Sequence, residues 1–467
     1  LDVISADEKS RKEWTSLCGV EPEEYKKLLR PTEDEAPFLP IDEISAVYES
    51  RGDISKAAMT GVLGANKLFE IPQNMAEDMA SSVSENLLTS GNGTLVLDAA
   101  GPNIVEALRN QNAENVVVLT RLHVAKKRIL NEFPDATVYV VDVKEGESLR
   151  DAYERKINNL PMEFDVALGN PPYHKRDGGG GQNVSASPIY DDFVHLAESV
   201  AQETCLVIPA RWFSGGKGLN PFRKWMLNRN DIVSITHDQD VFNTVDIRGG
   251  VCVVHANENK DVENPSFNGN PINIGKYDIL VPDTEAYSVI DCVLQNADRF
   301  LDNIYVSRGH SGISTSDDRM KDDASNGDVL CYASKQQGFE NYVDPDTIKT
   351  DKLDEWKVVT PYAGKKEYKM GFANIFIAKP GETFSDTYVA FEVESAREAV
   401  SLKSYMRTNF AEYMLDLRKN SITTSDDVVS WIPVPPLDRI WTDEELAEEE
   451  LFGLSQEQWK QFTQQDD

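Results

Sequence analysis

The sequence has few cysteines, few histidines and no long apolar run, and each shortage excludes a class of protein. Five cysteines are scattered and never form a Cys-x-x-Cys pair, so neither a disulfide framework nor a zinc cluster is expected. The six histidines show no ligand spacing, and we expect no metal site. No run of about 18 apolar residues is present, so no membrane span is predicted. The opening residues LDVISADEKSRKEW lack the features of a secretory signal, and we expect a cytoplasmic protein.

Basic residues are also scarce, since 47 lysines and arginines face 79 acids and the net charge is −32. Taken alone, this acidity argues against a general nucleic-acid binder, because contacts with phosphates need lysine and arginine. One basic cleft can nevertheless lie on an acidic body. Plain solubility, adaptation to a salty cytoplasm and mimicry of DNA all remain open, and we favour the first two.

The order of apolar runs predicts an α/β protein with a second, smaller module. Short buried strands alternate with helices from about residue 93 to residue 209, a pattern typical of a parallel sheet covered on both faces. Beyond about residue 280 short strands mix with Asp/Ser/Gly loops, and residues 396–420 predict one long helix. We expect a helical extension over 1–60, the α/β domain over 61–280, a mixed α+β domain over 281–440 and an acidic helical tail over 441–467.

The segment FDVALGNPPYHKRDGGGG carries the strongest chemical signal in the chain. A buried strand ends in Asn170, Pro171, Pro172 and Tyr173, and ligands of such sheets bind at the carboxyl ends of the strands. Two prolines make a rigid turn with free carbonyl groups, beside an amide acceptor and an aromatic face. The turn can therefore hold an exocyclic amine, such as adenine N6 or cytosine N4, of a base flipped out of the duplex. A rigid turn that only packs Tyr173 in a core is the simpler alternative.

FDVALGNPPY resembles the catalytic motif of the gamma-type DNA adenine-N6 methyltransferases of restriction–modification systems. LFEIPQNMAEDMA and VFNTVDIRGGVCVVHA are similar to two further motifs of that family, in the same order along the chain. The resemblance implies a Rossmann-like class I methyltransferase domain over 61–280 and a target-recognition domain over 281–440. It also implies methyl transfer from S-adenosylmethionine to adenine N6 of double-stranded DNA, with a restriction or anti-restriction protein as a possible partner.

The resemblance also implies a role for individual residues. Asn170 and the Pro171 carbonyl would hold the amine, and Tyr173 and Phe242 would stack on the flipped base. The residues implied for the cofactor are Phe69, Pro72, Asp98, Gly101, Asp142 and Asn170.

The cofactor loop departs from the family pattern. Pro102 and Asn103 stand where a second glycine is expected, and no acid lies between Val116 and His123 to bind the ribose. Two hypotheses follow: an active methyltransferase with unusual cofactor contacts, or an inactive relative that acts by binding DNA or protein, for example in anti-restriction or DNA mimicry. We favour the active enzyme. A nuclease is not expected, because the sequence shows neither a PD-(D/E)xK constellation nor a phosphate-binding GxxxxGK[ST] loop.

Basic residues cluster on loops around the predicted site and interleave with aromatic residues, a distribution that suits a positive cleft for DNA. The residues predicted to contact DNA are Lys175, Arg176, Arg211, Lys217, Arg248, Arg308, Lys365 and Lys366.

Overall fold

The computed structural model describes residues 69–176, 186–215, 218–238, 249–335, 338–363, 372, 374–419 and 423–463. These residues form two compact units, which divide between Leu280 and Val281. In the described ranges no helix is both long enough and apolar enough to cross a membrane.

The first unit alternates strands and helices, as the apolar runs predict. Its helices are α1 (Gln73–Ser82), α2 (Glu85–Leu88), α3 (Asn103–Asn110), α4 (His123–Glu132), α5 (Leu149–Asn158), α6 (Tyr190–Val200) and α7 (Asn220–Leu227). Its strands are β1 (Gly93–Leu97), β2 (Val116–Thr120), β3 (Thr137–Val140), β4 (Phe164–Gly169), β5 (His174–Arg176), β6 (Ala186–Pro188), β7 (Glu203–Pro209), β8 (Ile232–Asp238), β9 (Val251–Asn257), β10 (Ser266–Phe267) and β11 (Asn270–Pro271).

Nine of these strands form one sheet in the order β11-β10-β8-β9-β7-β4-β1-β2-β3. The five strands β3, β2, β1, β4 and β7 are parallel, whereas β9 runs antiparallel to both of its neighbours. Every residue of β1, β4 and β7 is buried, which explains why these strands read as continuous apolar runs. The predicted sheet is confirmed, with an antiparallel addition at one side. The carboxyl ends of β1, β4 and β7 share one edge, where the sequence places the conspicuous polar residues.

The second unit contains two small sheets and several helices. Its sheets have the orders β12-β18-β15-β16 and β14-β13-β17. The strands are β12 (Tyr305–Val306), β13 (Val329–Lys335), β14 (Gly338–Val343), β15 (Trp356–Pro361), β16 (Phe376–Ala378), β17 (Glu382–Phe384) and β18 (Tyr388–Val393). The helices are α8 (Ala286–Asn296), α9 (Ala396–Tyr405), α10 (Asn409–Arg418), α11 (Asp426–Val429), α12 (Asp443–Glu448) and α13 (Gln456–Thr463). The mixed α+β character expected for this part of the chain is confirmed.

The prediction of one long helix over residues 396–420 is wrong. Two helices, α9 and α10, occupy the segment, and Thr408 begins the second by accepting a hydrogen bond from the Ala411 N–H. The carboxylate of Asp443 accepts from the N–H groups of Asn409 and Phe410 in the same first turn. A threonine cap and a carboxylate at a helix N-terminus together favour a new start over a continued helix.

Candidate active site

The Asn-Pro-Pro-Tyr turn leaves the sheet at the carboxyl end of β4, directly beside the end of β1. The N–H of Asn170 donates to the carbonyl of Leu97 at 3.2 Å. Gly169 makes this approach possible, because its φ is +147° and a Cβ there would lie 2.2 Å from the Leu97 oxygen. The local sequence Gly-Asn-Pro-Pro therefore fixes the turn tightly against the neighbouring strand.

The amide nitrogen of Asn170 is hydrogen-bonded, whereas the amide oxygen has no partner among the described residues. Its amide nitrogen donates to the Phe69 carbonyl at 3.0 Å, which fixes the orientation of the amide group. The opposite atom, Oδ1, is buried and accepts no hydrogen bond from any residue that the structure describes. A buried acceptor without a donor costs about 1–3 kcal/mol, so this oxygen marks a place where a donor group fits.

Tyr173 is buried in this structure, with 6% of its surface exposed. Its carbonyl accepts from the Ile189 N–H at 3.1 Å, which ties the turn to the start of α6. Burial raises the pKa of the Tyr173 hydroxyl well above its ordinary value, and within the described ranges that hydroxyl has no hydrogen-bond partner. The ring packs among the buried residues of the first unit's hydrophobic core and presents no open face in this structure. Phe242, the second predicted stacking residue, lies outside the described residues.

One other buried polar atom near the turn, Arg211 Nε in the short 3-10 helix that follows β7, also lacks a partner among the described residues. The hydroxyl of Tyr190, at the start of α6, is hydrogen-bonded with the backbone of Trp212, and the Trp212 indole N–H donates to the Cys252 sulfur. Burial is the main reason that the pKa of Tyr190 is raised, and the charges of Asp191 and Arg211 also act on that hydroxyl. Buried polar groups without partners are rare in native proteins, so Arg211 Nε, like Asn170 Oδ1, marks a place where a water molecule or a ligand fits.

Asp98 follows β1, as the cofactor pattern predicts, but both of its oxygens are already engaged. Arg121 donates to Oδ2 through Nε at 2.8 Å and lies 2.7 Å from it through Nη2. The Tyr153 hydroxyl donates to Oδ1 at 2.5 Å. Asp98 and Tyr153 are both fully buried, and Asp98 has a positive φ of 55°. The carboxylate therefore ties the sheet edge to α5 and to the loop after β2.

Gly101 lies beneath an ion pair between Glu70 and Arg128. A Cβ on Gly101 would lie 2.1 Å from Glu70 Oε1 and 2.5 Å from Arg128 Nη1, so this position admits only glycine while the pair is closed. The cavity beside Gly101 has a volume of about 10 Å³, enough for at most one water molecule. Its lining residues are Phe69, Glu70, Ile71, Val96, Leu97, Asp98, Ala99, Ala100, Gly101, Ile104, Gly169 and Asn170.

The remaining positions predicted for the cofactor lie around this cavity or beyond it. Phe69 lines the cavity and supplies the carbonyl that holds Asn170. Pro72 precedes the first residue of α1 and is partly exposed. Asp142 lies past the end of β3 with its side chain exposed, and its carbonyl accepts from Arg155 at 2.7 Å.

Two of the residues predicted to contact DNA have described side chains. Arg211 is partly exposed in the first unit. Arg308, in the second unit, lies 3.7 Å from Asp386 and places its guanidinium 4.6 Å above the Tyr362 ring. The described structure does not cover the side chains of Lys175, Arg176, Lys217, Arg248, Lys365 and Lys366.

Four residues of the site were not identified from the sequence: Glu70, Arg121, Arg128 and Tyr153. Glu70 and Arg121 carry a usable signal. Arg121 directly follows β2, where the family pattern expects an acid, and Glu70 lies inside the Phe69–Pro72 motif. Arg128 and Tyr153 lie on helices α4 and α5 at positions that look like ordinary surface or core residues. Only the fold brings them to the sheet edge.

Comparison with known proteins agrees with the motif. Residues 103–242 match the Eco57I restriction-modification methylase family. An uncharacterized adenine-specific methylase of Mycoplasma pneumoniae is 34% identical over 109 residues, which are 22% of this chain and 26% of that protein.

Similar solved structures include the type IIG restriction endonuclease BpuSI, at 11% identity with a TM-score of 0.42 over 91% of this chain and 66% of that one. The type IIL restriction-modification enzyme MmeI in complex with DNA gives 10% identity and a TM-score of 0.39 over 84% and 69% of the two chains. Both structural likenesses are remote, and the assignment rests on the sequence matches. The Asn-Pro-Pro-Tyr turn lies inside residues 103–242, the segment that matches the Eco57I restriction-modification methylase family, and this match confirms the resemblance predicted from that turn.

Proposed function

We propose that this chain methylates the N6 amine of adenine in double-stranded DNA, with the target base flipped into the Asn170–Tyr173 turn. The strongest support for the proposal comes from the side chain of Asn170. Its hydrogen bond to the Phe69 carbonyl orients the amide, while its buried Oδ1 lacks a donor among the described residues. An exocyclic amine supplies the missing donor. Adenine is favoured over cytosine because the relative matched over 109 residues is named an adenine-specific methylase.

Asn170 and the proline turn would act on the amine by orientation and hydrogen bonding. With one N–H bound by Asn170 Oδ1 and the other by the Pro171 carbonyl, the nitrogen lone pair is left free toward the methyl group. Pro171 and Pro172 lack N–H groups and hold fixed φ angles, so the acceptors keep their positions when the base enters. Orientation and preformed hydrogen bonds are large sources of rate in such sites. No residue needs to form a covalent bond with the base.

Tyr173 would form one face of the base pocket, with Phe242 as the proposed opposite face. Because Tyr173 is 6% exposed, entry of a base requires movement in its surroundings. Base–aromatic stacking is worth about 1–3 kcal/mol per base, which helps to offset that movement and the loss of stacking in the duplex. Tyr190 and Arg211 carry buried donors near the turn, and adenine has ring nitrogens that accept hydrogen bonds.

S-adenosylmethionine is the methyl donor that the family implies, and the pocket beside Asp98 does not fit it in the observed arrangement. The cavity of about 10 Å³ is far below the roughly 300–1,000 Å³ that ligand pockets of this class need. Asp98 is bound by Arg121 and Tyr153, and the Glu70–Arg128 pair covers Gly101. We therefore assign no step to the donor.

Transfer of a labelled methyl group tests the proposal. The purified chain is incubated with tritiated S-adenosylmethionine and unmethylated genomic DNA, so that no recognition sequence has to be known. We expect incorporation by the unmodified protein and by Asn158→Ala, a control on the exposed surface of α5. Asn170→Ala should lower incorporation at least about 100-fold, the loss expected when one preorganised hydrogen bond to the reacting group is removed. Equal incorporation by both variants would show that Asn170 does not hold the amine.

A further inference from the structure

The acceptors of the Asn-Pro-Pro-Tyr turn do not by themselves distinguish adenine from cytosine. Asn170 Oδ1 and the Pro171 carbonyl would bind the hydrogens of an exocyclic amine, and adenine N6 and cytosine N4 both carry such hydrogens. The two bases differ beside the amine, where adenine presents the acceptor N7 and cytosine presents a C–H group. A donor placed to bind N7 would therefore select adenine.

Arg211 carries a charged donor that no described residue uses. Its Nε is buried and lacks a hydrogen-bond partner among the described residues, and its guanidinium makes no ion pair with any of them. Every other arginine of the first unit whose side chain the structure describes has a partner. Those paired with a carboxylate are Arg109, Arg121, Arg128, Arg150, Arg155 and Arg229, and Arg223 donates to the Gly215 carbonyl. In a chain with 79 acids and 47 basic residues, an arginine left without a carboxylate is available to a ligand.

Arg211 lies at the edge of the sheet that carries the turn. Strand β7 is the parallel neighbour of β4, and the 3-10 helix Ala210–Phe213 begins where β7 ends. The Tyr190 hydroxyl is hydrogen-bonded with the backbone of Trp212 in that helix. The residue before Tyr190 donates its N–H to the Tyr173 carbonyl at 3.1 Å. The start of α6 therefore ties the helix of Arg211 to the turn.

Gly215 fixes the direction of the Arg211 side chain. The Gly215 N–H donates to the Arg211 carbonyl at 2.9 Å. A Cβ on Gly215 would lie 2.9 Å from Arg211 Cγ, so the arginine stem packs closely against bare backbone. Because this contact limits rotation of the stem, the guanidinium is positioned before a base enters, and a preformed donor binds with little further loss of freedom.

We propose that Arg211 donates a hydrogen bond to N7 of the flipped adenine and so selects adenine over cytosine; this inference rests on the proposed function. A site built to hydrogen-bond one group of its substrate rejects an analogue that lacks the group, because the buried donor is then left without a partner. A guanidinium is always charged, which makes that loss larger. Arg211 determines specificity, and the amine remains held by Asn170 and Pro171.

DNA that contains 7-deazaadenine tests the contact, because this analogue replaces N7 by a C–H group and keeps the amine. Genomic fragments are copied with either dATP or its 7-deaza analogue, so that no recognition sequence has to be known. The unmodified full chain, Arg211→Met and Arg109→Met are each incubated with tritiated S-adenosylmethionine and one of the two DNAs. Arg109→Met is the matched control, because Arg109 lies in the last turn of α3 and pairs with Asp135 at 2.8 Å.

We expect the analogue to lower incorporation by the unmodified chain about 10- to 100-fold more than it lowers incorporation by Arg211→Met. This range corresponds to one hydrogen bond with a charged group. Contacts with N7 elsewhere in the recognition sequence lower incorporation by both proteins equally, so they cancel in the ratio. The control should respond to the analogue like the unmodified chain.

Equal effects of the analogue on the unmodified chain and on Arg211→Met refute the contact while the proposed function stands. Full incorporation into the analogue by the unmodified chain also refutes it, whether or not Arg211→Met folds. Mass spectrometry of ordinary DNA tests the selection, since Arg211→Met should raise the ratio of N4-methylcytosine to N6-methyladenine, and an unchanged ratio contradicts it. Absence of incorporation into both DNAs by the unmodified chain overturns the proposed methylation and this inference with it.

Discussion

Replacement of Tyr153 by phenylalanine tests whether the buried network around Asp98 holds the edge of the sheet. The change removes one hydroxyl, which donates to Asp98 Oδ1 at 2.5 Å, and it keeps the ring that packs edge-on against Phe193 at 5.2 Å. Asp98 keeps its two contacts with Arg121, so the carboxylate remains paired. The loss is therefore that of the hydroxyl's hydrogen bonds with two charged groups, Asp98 and Arg121, about 2 kcal/mol or more, and not the larger cost of a buried charge left alone.

Native-state hydrogen exchange measures this loss locally, which matters because the two units need not unfold together. Amides of β1 should exchange about 30-fold faster in Tyr153→Phe, the factor that corresponds to 2 kcal/mol. Tyr139→Phe is the control, because it makes the same change on a half-buried tyrosine of β3 and keeps the ring, which lies 4.4 Å from the Lys156 ammonium. Equal exchange rates in the two variants would show that the Tyr153–Asp98 hydrogen bond does not stabilise the edge of the sheet.

Two further predictions concern stability. Burial alone would raise the pKa of Glu203, but the hydrogen bond with His255 at 2.7 Å helps to hold that pKa below its ordinary value. The carboxylate thus contributes stability above the unfolded pKa of about 4.3, and this contribution is lost as the pH falls through the lower folded pKa. Urea titrations of Glu203→Gln should show a smaller loss of stability below about pH 4.3 than the unmodified chain, and parallel acid profiles would contradict this. Gly169→Ala should destabilise the first unit by about 3 kcal/mol, because the new Cβ strains the backbone and clashes with Leu97. Gly146→Ala is the control and should cost about 1 kcal/mol, since its φ is also positive but its Cβ would meet nothing within 4 Å. Equal shifts of the melting temperature in the two variants would contradict the clash.

The sheet and the position of the catalytic turn could be predicted because their signals are local. Continuous apolar runs such as those of β1 and β4 need burial on both faces, and their alternation with helices specifies parallel strands. Asn170 follows the last residue of β4, so its place at the carboxyl edge follows from the strand alone. Helix α5 gives a weaker signal, because half of the residues in Leu149–Asn158 are charged and only three are buried.

The state of the cofactor side could not be predicted, because it depends on contacts between residues distant in sequence. The place of Asp98 after β1 is visible in the sequence, but its ion pair with Arg121 and its hydrogen bond from Tyr153 require the fold to bring β2 and α5 to the same edge. The Glu70–Arg128 pair joins residues 58 positions apart. The same holds for Tyr173, whose burial arises from packing that no local pattern records. A sequence motif thus identified the chemistry of the turn but not whether its surroundings are open.

Identification of the modified nucleoside tests the central claim most directly. DNA incubated with the purified chain and S-adenosylmethionine is digested to nucleosides and analysed by mass spectrometry, with Asn170→Ala treated in parallel. The proposed function predicts N6-methyl-2′-deoxyadenosine in the sample from the unmodified chain and a strong reduction in the variant. Detection of N4-methyl-2′-deoxycytidine instead, or of no methylated nucleoside under conditions where the chain binds the donor, would contradict the assignment of the Asn170–Tyr173 turn to adenine methylation.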